Sequence, residues 1–206
     1  QMRLPGKPIL AEELMVARDL KLARYADSKI HFTGISSPKS LEYIKRSKES
    51  GIKVSSSITA YQVYFCDEDL QGYDTNLKLN PPLRTRADMM AIKNALLDGS
   101  IDCIASHHLP QHWDNKVCEF EYAKPGMIAL ETMFAVIMSC GLSAEDFVQM
   151  QTINIRNIFG LPIPEIKEGE AASLTLFVPG AEFTFEEHMI RSKSKNSPFI
   201  GRQLKG

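Results

Sequence analysis

The chain has 206 residues and a formal net charge of −1, with its charged residues mixed along the sequence. This composition gives no basis for binding nucleic acid or an anionic membrane surface, and no apolar run approaches the roughly 18 residues that a membrane span needs. Its four cysteines lack CxxC spacing, which favours reduced thiols in a cytosolic protein.

The N-terminal quarter predicts helices that alternate with strands. Apolar residues at helical spacing predict a helix over residues 10–26, and a short strand follows over 29–33. Ser37 followed by proline is typical of a helix start, and Gly51 of a helix end. Residues 53–59 then predict a second strand. The opening residues 1–8 resemble neither a signal nor a transit peptide and indicate a start within a longer protein.

The same alternation continues to residue 105. Residues 76–80 predict a third strand, closed by two prolines. Thr85 is a candidate cap for a helix that ends at Gly99. The apolar residues of 101–105 lie on both alternations, as in a strand buried on both faces. Four strands separated by helices predict an α/β fold with a parallel sheet and right-handed crossovers.

The pattern changes after Gly126. Residues 127–139 predict an apolar helix, and Ser143 and Thr152 are candidate caps of two shorter ones. Three further strands are predicted, over residues 172–178, 183–185 and 199–204. We therefore expect one unit over residues 1–160 and a small β appendage over residues 161–206.

Three histidines follow the strand that ends at residue 105. His107, His108 and His112 stand where parallel α/β enzymes collect their chemistry, beyond the carboxyl end of a strand. Imidazoles there serve as metal ligands or proton carriers. The alternative is a surface loop that happens to be rich in histidine.

Several segments in order resemble the dihydroorotase family of the amidohydrolase superfamily. The strongest are YDTNLKLNPPLR at 73–84, DGSID at 98–102 and the tail SKSKNSPF at 192–199. Weaker matches precede and separate them, and the resemblance extends over almost the whole chain. The NPPLR block and the tail favour dihydroorotase over its relatives allantoinase and dihydropyrimidinase.

The resemblance implies a (β/α)₈ barrel of the TIM type, of which this chain would hold about strands five to eight, and part of a small β-sandwich. A complete barrel is typically about 250 residues. The implied activity is zinc-dependent, reversible closure of carbamoyl aspartate to dihydroorotate in pyrimidine synthesis. The His-x-His pair that the family carries earlier in its sequence is absent from these 206 residues.

The resemblance also assigns site residues. His31 matches the histidine that ends the fifth strand and binds metal, while Tyr61 stands at the metal-ligand histidine of the sixth strand. His107 stands at the aspartate of the eighth strand, which is both ligand and general base. Asn80 matches an asparagine that contacts the pyrimidine ring, and His108 a histidine near the substrate carboxylate. Asn80 is equally interpretable as a turn residue beside two prolines.

Two altered positions favour a weakened or inactive enzyme. An imidazole at residue 107 can bind zinc, but it cannot also move protons for the metal-bound water. We therefore expect a structural partner of aspartate transcarbamoylase, with the zinc lost. The alternative is an active zinc-dependent cyclic amidohydrolase that uses His31, His107 and His112. Half a barrel exposes strand edges, so we also expect pairing with its own N-terminal half or with a second copy.

Overall fold

The computed structural model describes residues 6–206, so the prediction about the chain's opening lies partly outside the described residues. Helices and strands alternate through the first half of the chain, and short helices dominate the second half. In chain order they are α1 (Ile9–Tyr25), β1 (Ile30–Phe32), α2 (Pro38–Glu49), β2 (Val54–Thr59), α3 (Arg86–Leu97), β3 (Cys103–Ala105), α4 (Met133–Ser139), α5 (Ala144–Val148), α6 (Ile155–Phe159), β4 (Glu182–Thr184) and β5 (Gln203–Lys205).

A three-stranded parallel sheet organises the first half. The strand order is β1-β2-β3, with His31 opposite Ser55 and Ile58 opposite Ile104. Helix α2 connects β1 to β2 and α3 connects β2 to β3, as parallel pairing requires. The predicted parallel α/β arrangement is confirmed, with three strands in place of four.

Two predicted helix starts are confirmed with their caps. The Ser37 hydroxyl accepts hydrogen bonds from the N–H groups of Lys39 and Ser40 at 3.2 and 3.4 Å. The Thr85 hydroxyl accepts from the N–H of Asp88 at 3.2 Å and donates to its carboxylate at 2.7 Å. Each cap satisfies amides that the first helical turn leaves unpaired.

The predicted strand over residues 76–80 is wrong. The Asp74 carboxylate accepts a hydrogen bond from the N–H of Asn76 at 2.9 Å, and Thr75–Leu77 forms a turn of 3₁₀-helix. Aspartate side chains commonly bond their own backbone two residues on, and this local bond competes with strand pairing. Asn80 consequently lies in a loop.

The predicted strand over residues 172–178 is also wrong within the described part of the chain. Its backbone finds no ladder partner there, and Leu174 and Leu176 are largely exposed. The strand predicted over 183–185 is confirmed with a shift of one residue, as β4. Of the strand predicted over 199–204 only the end is confirmed: β5 begins at Gln203 and pairs antiparallel with β4, whereas residues 199–201 form a turn.

Two helix predictions after residue 126 need correction. The helix predicted over 127–139 begins only at Met133, because the backbone N–H groups of Ala129 and Leu130 bond to the His108 ring instead. Thr152 does not cap a helix, because it lies inside a turn of π-helix, Gln149–Asn154. Ser143 does cap α5, since its hydroxyl accepts from the N–H of Asp146.

Two clusters of buried apolar side chains form the interior. The larger contains Ile58, Ile92 and Val136 together with Phe185 and Phe199 from the C-terminal segment. The smaller packs α1 and α2 against the sheet around Val16, Leu20, Ile44 and Val54. The division at residue 160 stays a prediction. No helix of residues 6–206 combines the length and apolarity that crossing a membrane requires.

Candidate functional site

A small cavity lies beyond the carboxyl ends of β2 and β3. Its volume is about 190 Å³, and it is lined by Tyr61, Leu79, Asn80, His107, His108, Leu109, Gly126 and Met127. We call it the rim pocket. It brings together four of the residues that the sequence singled out, namely Tyr61, Asn80, His107 and His108.

His107 has an unusual backbone and a ring held on one side by the segment that follows β1. Its φ is 44°, in the left-handed region that non-glycine residues seldom adopt. Its Nε2 atom is 3.0 Å from the Thr33 hydroxyl. Burial lowers the pKa of the His107 imidazole, and a hydrogen bond with the Asn80 backbone partly offsets this effect. The ring is therefore neutral near pH 7 and already engaged with protein groups.

His31 lies outside the rim pocket, within β1. Its Nδ1 atom is 2.8 Å from the Ser55 hydroxyl and its Nε2 atom 3.3 Å from the Ser57 hydroxyl. Burial is the main cause that lowers the pKa of His31. Ser57 in turn donates to the Thr33 hydroxyl at 3.1 Å. Two hydroxyls thus stand between His31 and His107.

Tyr61 is almost completely buried in the wall of the rim pocket. Only 2% of it is exposed, and burial raises the pKa of its phenol to about 12. The residue follows β2 in a 3₁₀ turn, Ala60–Val63, at whose start the Gln62 side-chain oxygen accepts hydrogen bonds from the N–H and the hydroxyl of Thr59, each at 2.9 Å. A phenol that stays protonated near pH 7 is a poor metal ligand, because oxygen ligands of zinc bind as anions or waters.

His108 and Asn80 hold defined polar contacts. The His108 Nδ1 atom accepts hydrogen bonds from the N–H groups of Ala129 and Leu130 at 3.0 and 3.2 Å. A neutral imidazole that accepts at Nδ1 carries its proton on Nε2, so His108 is a donor through that atom. The Asn80 side-chain oxygen accepts from the Lys7 ammonium at 2.9 Å.

His112 does not join the other candidates. It is exposed on the loop after β3, where its Nδ1 atom lies 3.2 Å from the Asp114 carboxylate and its ring lies beside Trp113. Within the described residues it is a surface histidine at the start of a short turn.

The described side chains do not fit a zinc centre. Among residues 6–206, no group of three or more His, Cys, Asp or Glu side chains is arranged to hold a metal ion. A zinc site needs three or four such donors around one point. Here the two imidazoles closest to that role, His31 and His107, are bonded to hydroxyls rather than aimed at a shared position.

Sequence reasoning missed Gly34, which lies directly against the site. A β-carbon added to this residue would lie 2.4 Å from the Cε1 atom of His107, so the ring sits on the bare backbone. The available signal was a glycine two residues after the end of β1, where a strand turns at the rim.

The sequence comparisons agree with the segments that carry the resemblance. Residues 8–199 match the model of the amidohydrolase family. A dihydroorotase of Geobacter metallireducens is 38% identical over 210 residues, covering 100% of this chain and 50% of that protein. A dihydroorotase of Endomicrobium trichonymphae is 39% identical, covering 98% of this chain and 50% of that protein. The chain spans about half the length of these curated relatives.

Solved structures share the fold. The L-hydantoinase (dihydropyrimidinase) of Arthrobacter aurescens matches with a TM-score of 0.90 and 22% identity, over 97% of this chain and 46% of that one. The dihydropyrimidinase of Brevibacillus agri matches with a TM-score of 0.84 and 21% identity, over the same shares of the two chains. The parallel α/β core and the match over residues 8–199 lead to one conclusion: this chain belongs to the amidohydrolase family.

Proposed function

We propose that the protein is a dihydroorotase-type amidohydrolase of de novo pyrimidine biosynthesis that is catalytically weakened or inactive. Its ligand class is the cyclic amide dihydroorotate and its open form, carbamoyl aspartate. The observation that carries the proposal is the rim pocket, in which a buried phenol and a hydrogen-bonded imidazole stand at Tyr61 and His107.

The chemistry of amide closure explains why these two residues matter. Hydrolysis and closure both need a group that accepts and returns a proton, and in this resemblance that group is a carboxylate. None of the described residues that line the rim pocket is aspartate or glutamate. General acid–base catalysis contributes about 10²–10⁴-fold to a rate, so its loss alone weakens the enzyme severely.

The proposed architecture is the C-terminal half of a (β/α)₈ barrel with part of a β-sandwich. The three parallel strands with α2 and α3 as crossovers support the barrel part. The antiparallel pair β4–β5 supports the sandwich part. We expect the unpaired edges of the parallel sheet to be covered by the protein's own N-terminal half or by a second copy.

The proposed role is that of a structural partner of aspartate transcarbamoylase in the cytoplasm. The support is the combination of a retained fold with a rim that lacks a proton-accepting carboxylate. A protein in this role keeps its surface and core under selection while its catalytic groups change.

The decisive experiment measures metal and turnover together on the full-length protein. We expect substoichiometric zinc by elemental analysis and dihydroorotate hydrolysis at least 100-fold slower than that of an active dihydroorotase assayed alongside, in line with the loss of acid–base catalysis. Co-purification with aspartate transcarbamoylase, measured by size-exclusion chromatography, tests the partner role.

The alternative is an active zinc-dependent cyclic amidohydrolase with a rearranged metal site. It predicts stoichiometric zinc and ordinary turnover, with both lost in His31→Ala and His107→Ala. This result would replace the proposal. The identity of 34–39% to proteins named dihydroorotase is the observation in its favour.

A further inference from the structure

His107 lines two cavities. The rim pocket lies on one side of it, and on the other a groove of about 420 Å³ extends along α1. His107 and Asn80 are the two residues that line both. Thr33 and Gly34, which hold the His107 ring, lie on the groove side. The His107 ring, together with Asn80, therefore lies where the two cavities adjoin.

The His107 ring occupies the space that a side chain at position 34 would need. A β-carbon at this position would lie 2.4, 3.1 and 3.3 Å from the Cε1, Nε2 and Nδ1 atoms of His107. Real β-carbons do not approach heavy atoms as closely as 2.4 Å, so any other residue would displace the ring. The φ of Gly34 is +73°, which also favours glycine.

A second glycine, Gly126, packs against the same loop at Leu109, two residues after His107. A β-carbon at Gly126 would lie 2.7–2.9 Å from three side-chain atoms of Leu109. The N–H of Leu109 also donates to the carbonyl of Met127 at 2.8 Å. His107 and Leu109 are thus each packed on a glycine backbone, which fixes the loop that carries them although His107 has a positive φ.

We propose that Gly34 is a seat for the His107 imidazole, and that the seated ring is a partition that limits the size of molecule the rim pocket accepts. His107 then acts as a specificity-determining residue through its bulk. The seat is independent of the proposed function, whereas the partition rests on the proposed binding of cyclic amides in the rim pocket.

A stability comparison on the full-length protein tests the seat. Gly51 is a matched control, because its φ is +81° and no atom lies within 4 Å of an added β-carbon. Both Gly34→Ala and Gly51→Ala incur the left-handed backbone penalty, but only the first meets the ring. We expect Gly34→Ala to reduce the folding equilibrium constant at least tenfold more than Gly51→Ala, and this excess to vanish in a His107→Gly background. Equal effects of the two alanines would overturn the seat.

Chemical rescue gives a second test, which can still be carried out if the single variant Gly34→Ala folds poorly. In His107→Gly, free imidazole should occupy the seat and raise the melting temperature, because a ligand that binds only the folded state stabilises it. The double variant His107→Gly/Gly34→Ala should show no such rise, since the methyl group fills the seat. An equal rise in both variants contradicts the proposal.

The partition is tested with two cyclic amides of different size, dihydrouracil and 6-phenyldihydrouracil, by calorimetry. We expect His107→Gly to improve the affinity for the phenyl compound at least tenfold, and to change the affinity for dihydrouracil less than threefold. An unchanged ratio overturns the partition alone. Absence of binding to either protein overturns the partition as a ligand filter, while zinc and turnover of the full-length protein separately decide the proposed function.

Discussion

Lys116 is an ionisable residue buried away from the rim pocket. Only 7% of it is exposed, and its ammonium donates to the carbonyl of Thr75 at 2.8 Å. The Thr75 hydroxyl donates back to the carbonyl of Lys116 at 2.7 Å, so the two loops are clamped together. Burial lowers the pKa of Lys116 to about 8, and the nearby Asp74 carboxylate opposes this shift.

This shift predicts a pH dependence of stability. Between about pH 8 and pH 10.5 the unfolded chain holds a proton on this lysine that the folded protein has released, so stability rises with pH. Relative to Lys116→Met, we expect the wild type to gain about 2 kcal/mol across this window. Denaturant melts of both proteins at pH 7.5, 9 and 10.5 measure the difference. A pH-independent difference would show that Lys116 is not buried as described.

The four cysteines differ in burial, and therefore in reactivity. Cys66, Cys103 and Cys140 are buried, and burial raises the pKa of Cys103 and of Cys140 to about 11. Cys118 is exposed. Thiolates, not thiols, are the reactive form, so exposure and pKa together decide reactivity.

We expect one thiol to react quickly with a disulfide reagent in the native protein, and three more only after unfolding. The absorbance of the released chromophore counts them, and Cys118→Ser should abolish the fast phase. A fast phase that persists in Cys118→Ser would mean that a buried cysteine becomes accessible by local opening.

At the scale of elements, side-chain caps define where α2 and α3 begin. Ser37 is fully buried, and its hydroxyl also donates to the Glu13 carboxylate at 2.7 Å, which ties α2 to α1. Thr85 is exposed, and its hydroxyl bonds with Asp88 in the first turn of α3. Thr85 therefore isolates the effect of capping from that of packing.

Thr85→Ala should destabilise the protein by about 1 kcal/mol, because it removes the acceptor for the N–H of Asp88. Thr85→Ser keeps the hydroxyl and is the control, with an expected change of less than about 0.5 kcal/mol. Urea unfolding monitored by circular dichroism measures both. Equal losses in the two variants would assign the effect to the threonine methyl group instead.

At the scale of the whole molecule, the parallel sheet ends in two edges. Within residues 6–206, β1 and β3 each pair only with β2. The segment before β4 adds exposed apolar side chains, with Ile166 at 92% and Leu176 at 98% exposure. Unpaired strand edges and apolar surface promote association with another chain.

We therefore expect residues 1–206, expressed alone, to associate or aggregate rather than to remain a monomer of 23.1 kDa. Light scattering coupled to size-exclusion chromatography measures the mass. Addition of the N-terminal half as a separate polypeptide should yield a defined complex. A monodisperse, folded monomer would contradict this expectation.

The sequence by itself determined the features that depend on local pattern. The helical spacing of apolar residues located α1, and the capping residues located the starts of α2 and α3. Caps can be recognised locally, because helix starts use side chains one to three residues from the amides they satisfy. The buried strand β3 was found for a similar reason, since its apolar residues are consecutive. Motifs in order also sufficed to identify the amidohydrolase family.

Only the tertiary structure decided the character of the rim. The contact between Gly34 and His107 joins positions 73 residues apart in the sequence, and no local pattern reports a ring packed on a distant backbone. The late start of α4 has the same origin, because the N–H groups of Ala129 and Leu130 before it bond to His108. His31 was separated from the rim pocket by hydroxyls on a neighbouring strand. These outcomes depend on contacts between segments that are distant in the sequence. The local sequence of one segment does not show which distant residue it will contact.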